Sequence, residues 1–148
     1  DSRDFKPMVP TGVRNELTFL NQRASEKIPI FGFVGNPLEK DLILRQLKMK
    51  KLEEFINHIS SEERPEANWS NLIHSLWWAK KGNWEFAHYI AQDIDSNDGS
   101  WIHAYLHRVE GDLGNAAYWY TRAGKPVKTN ESLDDEWAEI SNSILVTS

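Results

Sequence analysis

The sequence predicts an all-α fold, an irregular array of antiparallel helical hairpins with a repeated pair at its centre. Residues 72–94 and 101–123 align when the chain is shifted by 29 positions. A fixed period of roughly 20–50 residues is typical of stacked helical units. Gly82 and Gly111 occupy matching positions, each followed by Asn or Asp, where a hairpin would turn. Apolar residues outside the repeat recur at helical spacing.

The N-terminal part begins with an extended arm, residues 1–12, whose prolines and glycine prevent regular structure. N-terminal helices are predicted within residues 13–68. The first runs from Val13 to about Glu26, and residues 28–34 form an apolar plug or a short strand, of which the plug is preferred because no second strand is evident.

The longest helix is predicted from Asn36-Pro37 to about Ser60, since Asn suits the cap and Pro the first helical position. Its opposite face is charged. The predicted apolar stripe comprises Leu38, Leu42, Leu47, Leu52, Phe55, Ile56 and Ile59.

The two-hairpin repeat occupies residues 69–124, and its four helices are predicted at about 69–81, 84–95, 99–110 and 113–123. Small residues on these short helices allow close packing, and large aromatic rings fill the remaining space. The small residues are Ala87, Ala91, Ala116 and Ala123.

A final helix is predicted at about 132–146, where Ser132 and Asp135 form a capping pattern. Its inward face carries Trp137, Ile140, Ile144 and Leu145. The expected architecture is therefore seven helices in a single helical domain, residues 1–148.

The two turns carry a family resemblance. Gly82-Asn83-Trp84-Glu-Phe-Ala87 and Gly111-Asp112-Leu113-Gly-Asn-Ala116 resemble the turn of the tetratricopeptide repeat, although that family's period is about 34 residues. Residues 101–124 also look like an uncharacterised family of short microbial proteins. The first resemblance implies a scaffold that binds a partner, and the second implies a shared fold.

Composition excludes several classes of function. The net charge of −5 disfavours nucleic-acid binding, which usually needs a basic surface. The absence of cysteine excludes thiolate chemistry and disulfides. No apolar run approaches the ~18 residues of a membrane span. The compartment stays open, with the cytoplasm favoured because the first residues lack a signal pattern.

The sharpest constellation is His103, His107 and Glu110, spaced i, i+4, i+7 on one stripe of a predicted helix. This stripe borders a predicted core of Ile102, Tyr105, Leu106 and Val109. Two histidines and a carboxylate at such spacing can bind a divalent metal, so they are a candidate metal set, although no cofactor is predicted. A structural role at a helix boundary is the alternative.

Three further residues complete the candidate binding set. His74 occupies the repeat position of His103, His88 lies on the adjoining predicted helix, and Trp78 lies one turn after His74. The sequence leaves open whether this histidine row faces a groove or the core.

The predicted function is a non-catalytic binding or scaffold module that recognises a protein or peptide on a hairpin face. The alternative is a small metal- or ligand-dependent enzyme using His103, His107 and Glu110. A homo-oligomer is a further expectation, since two repeats do not make a self-contained solenoid.

Overall fold

The computed structural model describes residues 36–147. It confirms the all-α prediction, because these residues form six helices and no strand. The helices are α1 (Pro37–Ser61), α2 (Asn71–Lys81), α3 (Trp84–Ala91), α4 (Asn97–Glu110), α5 (Leu113–Ala123) and α6 (Leu133–Leu145). The predicted arm, the first predicted helix and the plug at 28–34 lie outside the described residues. None of the six helices is long and apolar enough to cross a membrane.

The two caps predicted from the sequence are confirmed, because Asn36 accepts the Glu39 N–H and Ser132 accepts the Asp135 N–H. The residue before each of the helices α2 to α6 accepts such a bond from a backbone N–H of the first turn. These capping residues are Ser70, Asn83, Ser96, Asp112 and Ser132. Three helices end at a glycine with positive φ, which costs glycine little: Gly82 (98°), Gly111 (91°) and Gly124 (72°).

The connection between α3 and α4 differs from the prediction. α3 ends at Ala91 rather than at 95, and α4 begins at Asn97 rather than at 99. Ser96 starts α4 early by accepting the Gly99 N–H at 3.0 Å. A Cβ on Gly99 would collide with the carbonyl oxygen of Ile94, so this glycine allows α4 to lie against the connection.

Replacing Gly99 with alanine should therefore lower the free energy of unfolding by about 1–3 kcal/mol, because backbone atoms must move to admit the methyl group. Gly114→Ala is the matched control, since a Cβ there meets nothing within 4 Å. Alanine is the better helix former, so the control should stabilise by up to about 1 kcal/mol. Urea unfolding of both variants measures the difference, and equal behaviour would contradict the close approach.

The core is centred on α4, which packs against α2, α3, α5 and α6. The four alanines predicted to allow close packing are all buried. Large side chains fill the space between them, and the most buried are Leu76, Trp77, Ile102, Leu106, Tyr120, Trp137, Ile140 and Ile144. The predicted inward residue Leu145 is only partly buried.

One apolar prediction was wrong. Val109, expected in the core, is 40% exposed in the last turn of α4. Of the predicted α1 stripe, Phe55 and Ile59 are buried. Helical spacing places residues on one face but does not say how far along the helix that face is covered.

Backbone contacts divide the chain between Arg45 and Gln46, inside α1, into two units. The packing described here belongs to the unit from Gln46 onward. The expectation of a single domain stays a prediction.

Candidate functional site

Three of the predicted site residues converge. His88 comes from α3, and His103 and His107 come from α4. The Nε2 atoms of His88 and His103 are 2.9 Å apart. One ring nitrogen from each of the three residues lies within 4.8 Å of the others. We call these three residues the histidine cluster.

The packing of α3 on α4 brings this cluster together. His103 and His107 lie one turn apart and stack, with ring centroids 4.8 Å apart. The His88 ring meets both edge-on, at 4.6 Å from His103 and 5.1 Å from His107. His103 and His107 are buried, whereas His88 is half-buried and forms the more accessible side.

Two indole rings border the cluster. Trp84 stacks on His88 with centroids 4.7 Å apart and donates its Nε1–H to the carbonyl of Leu106 at 2.7 Å. Trp119 of α5 stacks on His103 at 4.0 Å. These contacts restrict the orientation of two imidazoles, so the cluster is held by packing as well as by hydrogen bonds.

Glu110 orients the third imidazole. Its Oε2 lies 2.8 Å from Nδ1 of His107. Because an ionised carboxylate only accepts, Nδ1 carries the proton and donates it. When the His107 ring is neutral, its Nε2 atom therefore carries no proton and keeps its lone pair. Glu110 itself is exposed, at the end of α4.

Burial keeps part of the cluster neutral. Desolvation, followed by the nearby His88 and His107, lowers the pKa of His103 to about 4. Desolvation and His107 also lower the pKa of His88, against a smaller opposing effect of Glu110. Both imidazoles are therefore uncharged at neutral pH and keep a lone pair.

The structure does not bring His74 and Trp78 into this cluster. Nε2 of His74 lies 2.8 Å from the carbonyl oxygen of Glu66, in the segment before α2. Trp78 packs between Trp77 and Phe86, with ring centroids 4.8 and 5.0 Å away. Although His74 and His103 occupy equivalent repeat positions, they have different neighbours.

Sequence reasoning missed a buried carboxylate on α6. Glu136 is 1% exposed and joins α4, α5 and α6. Its oxygens accept from Arg108 Nε at 3.0 Å, Tyr120 Oη at 2.7 Å and Trp101 Nε1 at 3.2 Å. Arg108 also donates to the carbonyls of Thr129 and Glu131. The network is fully enclosed, so we assign it to the stability of the fold.

Burial, followed by the hydrogen bond and the negative charge of Glu136, raises the pKa of Tyr120 well above its ordinary value. The phenol therefore stays protonated and remains a donor to the carboxylate. By itself, the acidic run 134–136 predicts only a favourable opening turn for α6, since negative charge is stabilising at a helix N-terminus. No spacing in the sequence connects Glu136 with Arg108.

Two depressions in the described part of the chain are open, and no residue of the histidine cluster lines either of them. One is formed by α6 and Lys48, and the other by Ala117, Tyr118, Thr121 and Arg122 of α5. Neither places a histidine beside a substrate-sized hollow.

Comparison with known proteins gives no match: no family model, no curated protein and no solved structure resembles the chain closely enough to identify a relative.

Proposed function

We propose that this protein is a non-catalytic binding module whose two helical hairpins, α2–α3 and α4–α5, form a tetratricopeptide-like pair that recognises a protein or peptide partner. The supporting observation is a run of partly or largely exposed aromatic side chains, Trp78, Phe86 and Tyr89. We call this run the aromatic row.

The aromatic row is continuous. Trp78 contacts Phe86 at a centroid distance of 5.0 Å, and the Phe86 and Tyr89 rings lie nearly parallel at 6.4 Å. Phe86 is 42% and Tyr89 61% exposed, although neighbouring Ala87 is fully buried. Exposed aromatic groups of this kind are favoured as contact residues at protein interfaces.

Charge indicates the chemistry of the partner. No lysine or arginine occurs between Gly82 and His107. The same stretch exposes the carboxylates of Glu85, Asp93 and Asp95. A peptide with apolar anchors and basic flanking residues complements this surface, whereas a nucleic acid would be repelled.

The residues that we propose as anchors for the partner differ from those predicted from the sequence. His103 and His107 are buried, so the partner surface is assigned to the aromatic row, of which Trp78 was already a candidate. The enzyme alternative keeps the His107–Glu110 pair. It gains no support from the two open depressions described above, since no histidine lines either of them.

A displayed library of random peptides tests the proposal. We expect the enriched peptides to combine Lys or Arg with large apolar residues and to bind more weakly as salt is raised. The double variant Phe86→Ser and Tyr89→Ser should bind them at least about tenfold more weakly, because the anchors are lost. Fluorescence anisotropy measures the affinities.

Val127→Ser is the control for loss of an exposed apolar side chain, since Val127 is 47% exposed in the segment between α5 and α6. Its affinity should match that of the wild type. Enrichment of acidic peptides, or equal binding by the double variant, would contradict the proposal. Light scattering of the same samples measures self-association, the other class of partner that the sequence predicts.

A further inference from the structure

We propose that the histidine cluster is a binding site for a transition-metal ion of the zinc class, with His88, His103 and His107 each supplying one imidazole nitrogen. This inference is independent of the partner surface, because it uses side chains outside the aromatic row.

The main evidence for a metal site is the spacing of the ring nitrogens. Zinc–nitrogen bonds are about 2.0–2.1 Å, so two nitrogens on a tetrahedral ion lie roughly 3.3 Å apart. The observed spacings run from 2.9 Å for the His88–His103 pair up to a limit of 4.8 Å within the cluster. Ring movements of about 1 Å would bring three ligands to one ion and leave a fourth position for water.

The hydrogen bond within the cluster is compatible with metal binding. The Nε2 atoms of His88 and His103 face each other at 2.9 Å. In the metal-free protein one of the two facing Nε2 atoms donates a proton to the other. On binding, that proton moves to Nδ1 of the same ring through solvent, and both Nε2 lone pairs become ligands without change of charge.

The residues that surround the cluster are a second, independent observation in favour of a metal site. Metal-binding histidines usually donate their second ring N–H to a carboxylate or a carbonyl. His107 makes this bond through Nδ1 to Glu110 at 2.8 Å, which assigns its Nε2 to the ion. Trp84 and Trp119 hold the His88 and His103 rings by stacking.

The chemical type of the three ligands determines which ions the cluster would prefer. Imidazole suits zinc, copper and nickel, whereas calcium and magnesium prefer oxygen ligands. A second group, His107, Glu110 and Asp112, also has its ligand atoms within 4.8 Å of one another. Two of its three members are exposed carboxylates, and it shares His107 with the cluster. We therefore place the ion on the three imidazoles.

Zinc titration of tag-free protein, previously dialysed against EDTA, tests the site by calorimetry. We expect one zinc ion per chain. His88→Gln and His103→Gln should each weaken binding by at least about tenfold, and Glu110→Gln by about tenfold through loss of the orienting carboxylate. His74→Gln is the matched control, because His74 has the equivalent repeat position but lies outside the cluster. It should bind zinc as the wild type does.

NMR of the wild type tests the site without a substitution that might unfold the chain. The protein has five histidines. Zinc should shift the imidazole resonances of His88, His103 and His107 and leave those of His58 and His74 unchanged, while magnesium shifts none. Absence of stoichiometric zinc binding, equal loss in His74→Gln, or shifts confined to His58 and His74 would overturn the proposal.

Discussion

Replacing Glu136 with glutamine is expected to lower the free energy of unfolding by about 3–5 kcal/mol, because Arg108 would keep a buried charge without its carboxylate. The Glu136 side chain is 0% exposed and that of Arg108 is 3% exposed. Water therefore cannot replace the lost interaction. Urea unfolding followed by circular dichroism measures the change.

Glu139→Gln is the control on the same helix, since Glu139 pairs with Lys128 and its side chain is 53% exposed. An exposed ion pair contributes at most about 1 kcal/mol, so this variant should stay close to the wild type. Equal effects at positions 136 and 139 would contradict the enclosed network.

Truncating Trp137 to alanine is expected to cost about 3–5 kcal/mol. The indole is 1% exposed and joins α6 to α1 and α2. Its ring stacks on Phe55 with centroids 5.7 Å apart, and its Nε1–H donates to the carbonyl of Leu76 at 2.9 Å. Removing it leaves a cavity and deletes the second hydrogen bond of the Leu76 carbonyl, at the point where the C-terminal helix meets the core.

Trp137→Phe separates these two contributions. The smaller ring retains part of the stacking on Phe55 but cannot donate to Leu76, so a loss of about 0.5–1.5 kcal/mol is expected from the missing hydrogen bond. Thermal and urea unfolding should place it between the wild type and Trp137→Ala. A loss of less than about 1 kcal/mol for the alanine variant would show that α6 does not seal the core.

The features that the sequence predicted well are local. Gly82 and Gly111, the predicted turn glycines, end helices because glycine adopts a left-handed backbone conformation at little cost. Ser132 caps α6 through a hydrogen bond to a residue three positions away. Such signals depend on adjacent residues, so the chain carries them whatever its tertiary packing.

The predictions that were wrong concern features that depend on tertiary packing. Apolar spacing continued past Ala91 to Ile94, but the Ser96 cap and the close approach at Gly99 end the regular run earlier. Val109 fits the core period but lies at the end of α4, where less of the helix is covered. Apolar periodicity identifies the inward face of a helix, but the neighbouring elements determine how much of that face is buried.

The sequence predicted only part of the site, because it shows which residues share a helix face but not which other segments pack against that face. His103, His107 and Glu110 share a stripe that the sequence shows directly. The repeat also suggested that His74 would behave like His103, but α4 follows a helix that supplies His88, whereas the segment before α2 supplies the Glu66 carbonyl. Equivalent positions in a repeat have equivalent neighbours only when the preceding element is repeated too.

The convergence of His88, His103 and His107 is the claim on which the metal site depends. Anomalous diffraction at the zinc edge, from crystals grown with zinc-loaded protein, tests it most directly. We expect one strong peak between α3 and α4, with zinc–nitrogen distances of about 2.0–2.1 Å to all three imidazoles. A peak found only at Glu110 and Asp112, or no ordered peak within reach of His88 and His103, would contradict it.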